Sequence, residues 1–149
     1  MQHFERKSYR IKGFNYGSEG WYFITICTID KKHVFGKIKN DIMTYSKIGL
    51  LTKQFLMNIS KVYDDIYLDK YVIMPNHIHM VVSISEMSDV NISRVIKHFK
   101  EGITKQLGYK IWQKSFYDHV IRNETDYLRI YEYIDENVLK WSLDKYYDE

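Results

Sequence analysis

Strand-like and helix-like patterns of apolar residues alternate along this chain, and their order is the feature that most limits the possible fold. A strand pattern is a short run rich in β-branched and aromatic residues, whereas a helix pattern repeats apolar residues every three or four positions. The patterns follow the order β-α-β-β-α-β-α, which contains the β-α-β-β-α-β unit of ferredoxin-like folds. We therefore predict an α+β fold with an antiparallel sheet, helices on one face, and a C-terminal helix.

Four segments carry the strand patterns, and three carry the helix patterns. The predicted strands cover residues 21–28, 65–74, 77–84 and 115–121, and the first of them is expected to be central. The predicted helices cover residues 46–63, 91–107 and 125–139. Pro75-Asn76 predicts a turn between the second and third strands, and Gly108 predicts the end of the second helix. Residues 123–126 offer capping side chains, and the tail from Trp141 onward is expected to be peripheral.

Composition limits the class of protein. A chain of 149 residues, 45% hydrophobic and with a single proline, predicts one domain over residues 1–149 with a substantial core. The apolar runs are far shorter than the roughly 20 residues that cross a bilayer, and no apolar segment follows the basic N-terminus. The lone Cys27 cannot form an internal disulfide, which fits a reducing compartment. Together with the short apolar runs, this predicts a cytoplasmic protein with no membrane partner. A net charge of +3 is weak evidence for a nucleic-acid partner.

His77 and His79 are the first candidate site. Side chains two positions apart on a strand share a face, so both imidazoles project together while Ile78 points the other way. Such a pair can hold a divalent metal with one or two further oxygen or nitrogen ligands, although it can also be two ordinary histidines. A zinc hydrolase is disfavoured because position 81 is Val81, not an acid, and a structural zinc site is disfavoured because no further Cys or His has ligand spacing.

Tyr133 and Asn137 are the second candidate site. They lie four residues apart on the third predicted helix, so the phenol and the carboxamide share a face one turn apart. A phenol can attack phosphorus when a metal or base lies nearby. The alternative is that Tyr133 merely packs beside an apolar stripe. Tyr127 and Tyr131 are rival nucleophiles on the same helix, but neither has an amide one turn further on.

Three segments resemble the REP-associated tyrosine transposases, which belong to the HUH single-strand DNA transposases with one catalytic tyrosine. The first is Tyr-Val-Ile-Met-Pro-Asn-His-Ile-His-Met-Val-Val at 71–82, the second is Trp-Gln-Lys-Ser-Phe-Tyr-Asp-His-Val-Ile-Arg at 112–122, and the third is Tyr133-Ile134 with Asn137. The resemblance runs from about residue 9 to residue 141. Val138 departs from it, since the family commonly has proline after the asparagine. Replication initiators and relaxases match less well.

This resemblance implies a metal-dependent nuclease and strand transferase acting on single-stranded DNA near hairpins, such as REP-like palindromes. It implies that His77, His79 and Asn137 hold Mg²⁺ or Mn²⁺, and that Tyr133 attacks to leave a 5′-phosphotyrosine and a free 3′-hydroxyl. His119 belongs to the family pattern, with a structural or substrate-contact role expected. The resemblance does not decide the oligomeric state, so both a monomer and a homodimer stay open.

Six basic residues and one aromatic residue complete the expected DNA-binding surface. The cations are expected to neutralise backbone phosphates, although each can also be a solvated surface charge, and Tyr117 is expected to stack on unpaired bases. The cations are Arg6, Lys7, Arg10, Arg94, Lys97 and Lys100. Two other functions remain alternatives. One is a hairpin-binding module with an unused site, and the other is a metal enzyme that does not act on nucleic acids.

Overall fold

The computed structural model describes residues 5–6, 20–85, 90–144 and 146–147, and these residues contain seven strands and three α-helices. The strands are β1 (Glu5–Arg6), β2 (Gly20–Cys27), β3 (Gly36–Lys39), β4 (Ile42–Tyr45), β5 (Ile66–Ile73), β6 (His77–Ile84) and β7 (Tyr117–Ile121). The helices are α1 (Lys47–Val62), α2 (Ile92–Leu107) and α3 (Glu124–Glu136). No described helix combines the length and apolar character that a bilayer crossing requires.

Five of the strands form one antiparallel sheet in the order β1-β7-β2-β6-β5. Without β1, the order β7-β2-β6-β5 is the ferredoxin-like arrangement that the element order predicts, and β2 is central as expected. The predicted corner is also present, because β5 and β6 pair and the Met74 N–H donates to the His77 carbonyl oxygen at 2.8 Å. The fold prediction is therefore confirmed.

Helices α1 and α2 cover one face of the sheet and form the main core with it. Alternate residues of β2 and β6 point into this core, because side chains alternate between the faces of a strand. The contributing residues include Ile24, Ile26, Ile78, Met80 and Val82 from the sheet, Leu56 and Ile59 from α1, and Ile96, Phe99 and Ile103 from α2. Gly108 ends α2 in the left-handed conformation, with φ of 85°, as the sequence predicts.

Helix α3 lies against the opposite face of the sheet, over a smaller apolar cluster. Val81 and Ile121 from the sheet pack there against Ile130 and Ile134. Asn123 caps the helix by accepting the Asp126 N–H at 2.7 Å. The α-helix ends at Glu136, three residues before the predicted end, and a turn follows. This second face therefore presents the side chains of β6 that the main core does not use.

A two-stranded hairpin of β3 and β4 was not among the predicted elements. It is closed by Asn40 and Asp41, whose φ angles are 54° and 62°. Two such residues between alternating runs are a recognised hairpin signal, since Asn and Asp tolerate positive φ better than other residues with side chains. The sequence thus contained the information for this hairpin.

Candidate metal and nucleophile site

The two histidines of β6 lie side by side on the face of the sheet that α3 covers. His77 is 0% and His79 is 1% exposed, and their ring centroids are 4.6 Å apart. Ile78 and Met80 point the other way into the main core, so the predicted alternation is confirmed. Because β6 lies between β2 and β5, the imidazoles are fixed on a rigid part of the sheet.

Hydrogen bonds to each Nδ1 atom set the orientation of both rings. Asn76 Nδ2 donates to the Tyr146 carbonyl oxygen at 2.8 Å, which directs its Oδ1 towards His77 Nδ1 at 2.7 Å. His77 Nδ1 must then carry the proton, because an amide oxygen only accepts. The His79 Nδ1 atom lies 2.7 Å from Thr25 Oγ1. The Nε2 atoms are therefore the nitrogens available for ligation, in the arrangement common for metal-binding histidines.

Asp144 completes a three-residue cluster with these histidines. One potential ligand atom from each residue lies within 4.8 Å of the others, and Asp144 Oδ2 is 3.7 Å from His77 Nε2. The carboxylate is buried, with its side chain 1% exposed. It accepts hydrogen bonds from Asn137 Nδ2 at 3.0 Å and from the Tyr146 N–H at 2.8 Å. Imidazole nitrogens with a carboxylate oxygen are a donor set that suits a divalent cation.

The expectation that the tail from Trp141 onward is peripheral was wrong. The Trp141 ring is 6.1 Å and the Tyr146 ring 4.4 Å from the His77 ring, centroid to centroid, and Asp144 lies between them in the chain. Burial of the Tyr146 phenol raises its pKa, with further contributions from Cys27 and Tyr117. The tail segment thus packs onto the histidines through aromatic contacts, and no spacing in the sequence predicts these contacts.

Asn137 lies beside the cluster. Its side chain is buried, and its Oδ1 accepts no hydrogen bond from the part of the chain that the structure describes. A buried amide oxygen without a donor is costly, so the position suits a cation ligand. The structure therefore places Asn137 with His77, His79 and Asp144, and Asp144 is the residue that sequence reasoning missed.

Tyr133 faces the same space from α3. Its hydroxyl oxygen lies 3.4 Å from His79 Nε2, the outer range of hydrogen bonding, and the two rings are 5.2 Å apart. Its side chain remains 38% exposed, so a ligand can reach the phenol. The residue lines a cleft of about 450 Å³ together with Phe23, Thr25, His79 and His119, among others.

The rival tyrosines lie elsewhere on α3. The Tyr127 hydroxyl donates to Asp69 at 2.6 Å, and burial together with this bond raises the pKa of Tyr127. The Tyr131 ring instead packs against Lys70, whose ammonium is 4.1 Å from the ring centroid. Of the three tyrosines of α3, Tyr133 is the one in contact with the histidines.

Tyr117 and His119 reach the same face from β7. Tyr117 pairs with Thr25, the neighbour of His79, and its ring lies 6.4 Å from Tyr146. His119 is buried, and its Nε2 atom lies 2.7 Å from Asp126 Oδ2. Both residues are therefore brought close to the histidines, and a role for either in DNA binding stays a prediction.

The predicted basic contacts are not brought to this face. Arg94, Lys97 and Lys100 belong to α2, on the other side of the sheet. Lys97 and Lys100 line a second cleft of about 590 Å³ next to Trp112, and Lys100 Nζ donates to the Gln113 carbonyl oxygen at 2.8 Å. The backbone of Arg6 pairs with β7. Lys7 and Arg10 lie outside the described residues.

Comparison with known proteins gives relatives in both sequence and structure. No family profile matches the chain. An uncharacterized protein of Haemophilus influenzae is 35% identical, with 95% of this chain and 93% of the relative covered. A REP-associated tyrosine transposase of Escherichia coli is 36% identical over 61% of this chain and 58% of its own length, so the chain spans less than two thirds of that relative.

Two solved structures share the fold. The structure of a REP-associated tyrosine transposase bound to a REP hairpin superposes with a TM-score of 0.72 at 22% identity, covering 93% of this chain and 76% of the other. A Deinococcus radiodurans protein provisionally described as a transposase superposes with a TM-score of 0.54 at 17% identity, covering 85% and 97%. At these identities the structures establish the shared fold.

Proposed function

We propose that this chain, which belongs to the same family as the Haemophilus influenzae protein, cuts and rejoins single-stranded DNA beside hairpins. The proposal starts from its relationship to the REP-associated tyrosine transposases. The observation that carries this proposal is the position of the Tyr133 hydroxyl, 3.4 Å from His79 Nε2. The candidate nucleophile thus lines one cleft with two residues of the candidate metal site, His79 and Asp144. Transposase chemistry through a phosphotyrosine needs both in one place.

His77, His79, Asp144 and Asn137 are the residues that would hold a divalent metal ion, either Mg²⁺ or Mn²⁺. One ligand atom from each of His77, His79 and Asp144 lies within 4.8 Å of the others, and the buried Asn137 Oδ1 accepts no hydrogen bond from the described residues. A bound ion would supply positive charge to offset the negative charge of the scissile phosphate oxygens. Asn76 and Thr25 would keep the two imidazoles in the ligating orientation through their contacts with each Nδ1.

Tyr133 is proposed to attack the phosphorus atom. A bond forms between the phenol oxygen and phosphorus as the bond from phosphorus to the 3′-oxygen breaks. The phenol gives up its proton, and the departing 3′-oxygen gains one. The product is a 5′-phosphotyrosine and a free 3′-hydroxyl, so the phosphodiester energy is kept for rejoining.

Hairpin DNA is the proposed substrate, because the structural relative binds a REP hairpin. Tyr117 would contact DNA near the histidines, and the buried His119 would support the same cleft. On the far side of the sheet, Arg94, Lys97 and Lys100 would contact the phosphate backbone. Arg6, Lys7 and Arg10 are proposed to add further phosphate contacts. Such contacts predict binding that weakens steeply with salt.

The direct test is a denaturing gel of the purified protein with labelled hairpin oligonucleotides taken from the DNA that flanks its gene. We expect a labelled, shifted protein band in Mn²⁺ or Mg²⁺, and its loss in EDTA, because only a covalent adduct survives denaturation. Turnover of substrates other than DNA without any adduct would indicate a metal enzyme of another class.

A hairpin-binding module with an unused site is the second candidate. The packing of Tyr146 over the histidines, 4.4 Å from the His77 ring centroid, favours it, because this ring occupies space beside the candidate ligands. Salt-sensitive hairpin binding with no adduct in either metal would support this function and contradict the first.

Replacing Asn76 by alanine should weaken Mn²⁺ binding by roughly 10–100-fold, the usual effect of losing a partner of a metal ligand. The change removes the acceptor of the His77 Nδ1 proton and the donor to the Tyr146 carbonyl oxygen. Calorimetric titration with Mn²⁺ measures it. Asn58→Ala, at an exposed position on α1, is the control and should bind like the wild type. Equal affinity in both variants would contradict the orienting role.

A further inference from the structure

A buried carboxylate lies between two basic side chains at one end of the Tyr133 cleft. Asp126 is 4% exposed, and its Oδ2 is 2.7 Å from His119 Nε2. Its Oδ1 accepts a hydrogen bond from Arg129. We call these three residues the His119–Asp126–Arg129 cluster. Burying a carboxylate is unfavourable unless it is paired and hydrogen-bonded, and here both oxygens are engaged.

Helix capping does not explain this arrangement. Asp126 is the third residue of α3, where an acid in a capping box turns back towards the N-cap residue. Asn123 already caps the helix by accepting the Asp126 N–H. The Asp126 carboxylate instead contacts a strand residue beneath the helix and a residue one turn further along it.

The Arg129 side chain, which Asp126 holds, lies in the cleft. Its side chain is 63% exposed, and both Arg129 and Tyr133 line the cleft. They are four residues apart, so they share one face of α3 about one turn, or ~5.4 Å, apart. A guanidinium has five N–H donors, and the hydrogen bond to Asp126 uses one nitrogen. Donors thus remain for a ligand close to the proposed nucleophile.

We propose that Arg129 binds a phosphate of single-stranded DNA next to the one that Tyr133 attacks, and that His119 and Asp126 are positioning residues for its guanidinium. The inference rests on the proposed function, since it concerns the same cleft. A planar guanidinium matches two phosphate oxygens, and a fixed guanidinium gives up less side-chain entropy on binding. One helical turn is comparable to the step between neighbouring phosphates. His119 would then act through Asp126 rather than by direct contact with DNA.

The first test compares Arg129→Ala and Arg129→Lys with Lys140→Ala. Lys140 is a matched control because it is 60% exposed and pairs with Glu136 one turn earlier, yet it does not line the cleft. The probe is a hairpin oligonucleotide with single-stranded extensions from the DNA that flanks the gene. We expect Arg129→Ala to lower the salt slope of binding by about 0.7, the value for one single-strand phosphate contact. Lys140→Ala should leave this slope unchanged, and a change equal to that of Arg129→Ala would overturn the contact.

The rate of adduct formation at saturating DNA tests positioning. We expect Arg129→Ala to reduce this rate by roughly 100-fold, the scale of a misplaced reacting group. Arg129→Lys should keep the salt slope but recover little of the rate, because an ammonium lacks the fork geometry. An unchanged rate in Arg129→Ala would show that the residue plays no part in aligning the strand.

A double-mutant cycle separates positioning from a structural role of the buried pair. If Asp126 acts through Arg129, Asp126→Asn slows adduct formation in the wild type but has no further effect in Arg129→Ala. Equal slowing in both backgrounds would overturn the positioning role. His119→Gln, followed in the same cycle, gives a second variant should Asp126→Asn fail to fold. If the wild-type protein forms no adduct, the proposed function fails, while the salt slopes still decide whether Arg129 binds a phosphate.

Discussion

We expect the replacement of Tyr133 by phenylalanine to abolish covalent attachment to DNA and to leave hairpin binding intact. The substitution removes one oxygen, the atom that lies 3.4 Å from His79 Nε2, and keeps the ring that packs against His79 and Phe23. Loss of a nucleophile typically lowers the rate by on the order of 10³-fold or more, which places the adduct below detection. The measurement is the denaturing gel in Mn²⁺, with hairpin affinity determined alongside.

Two matched variants make this result specific. Tyr127→Phe and Tyr131→Phe remove the same oxygen from the same helix, but these residues contact Asp69 and Lys70 rather than the histidines. Both variants should form the adduct at close to the wild-type rate. An adduct that persists in Tyr133→Phe and disappears in one of these variants would move the nucleophile to that residue. Such a result would not contradict the proposed reaction class, strand cleavage through a phosphotyrosine.

Replacing His77 by glutamine should lower Mn²⁺ affinity by more than about 100-fold, because the site would lose one of its proposed nitrogen ligands and not merely a supporting contact. Glutamine keeps a polar side chain in the buried space and fills part of the volume that the imidazole would leave empty. Adduct formation should be lost with metal binding, as we also expect when EDTA removes the metal from the wild-type protein. Titration calorimetry with Mn²⁺ and the denaturing gel measure the two effects.

His98→Gln is the control for this change. His98 lies on α2 with its Nδ1 2.7 Å from the Tyr63 hydroxyl, on the other side of the sheet from His77. This variant should bind Mn²⁺ and form the adduct like the wild type. An adduct that forms normally in His77→Gln would contradict the assignment of His77 as a metal ligand.

The sequence was sufficient for the framework of the site. Period-two alternation in β6 placed His77 and His79 on one face of the sheet, and helical spacing placed Tyr133 one turn before Asn137, the residue that follows α3. Both patterns are local, because the geometry of one strand or one helix determines which side chains share a face. The packing of α3 against the histidine face is not local, and the sequence pattern did not indicate which face of the sheet this helix would cover.

The remaining parts of the site depend on contacts between distant segments. Asp144 is 67 positions beyond His77, in a tail whose composition resembles an exposed terminus, and only tertiary packing brings it to the imidazoles. In the sequence, Asp126 looks like an ordinary capping residue near the start of a helix. Its burial against His119 could not be predicted, because it depends on how α3 packs against β7. No periodicity records such contacts. The location of the basic residues of α2 could not be predicted either, because charge in the sequence does not show which side of the sheet it will occupy.

The concentration of buried polar groups on one face of the sheet has an evolutionary consequence. Thr25, Asn76, His77, His79, His119, Asp126 and Asn137 are all at most 5% exposed and all lie at the cleft or its supports. Removing such groups from water opposes folding, and apolar side chains of similar volume would serve the fold at least as well. A lineage that had stopped using this cleft would be free to accumulate such replacements. Buried polar side chains in this number are therefore a feature that stability alone would not favour.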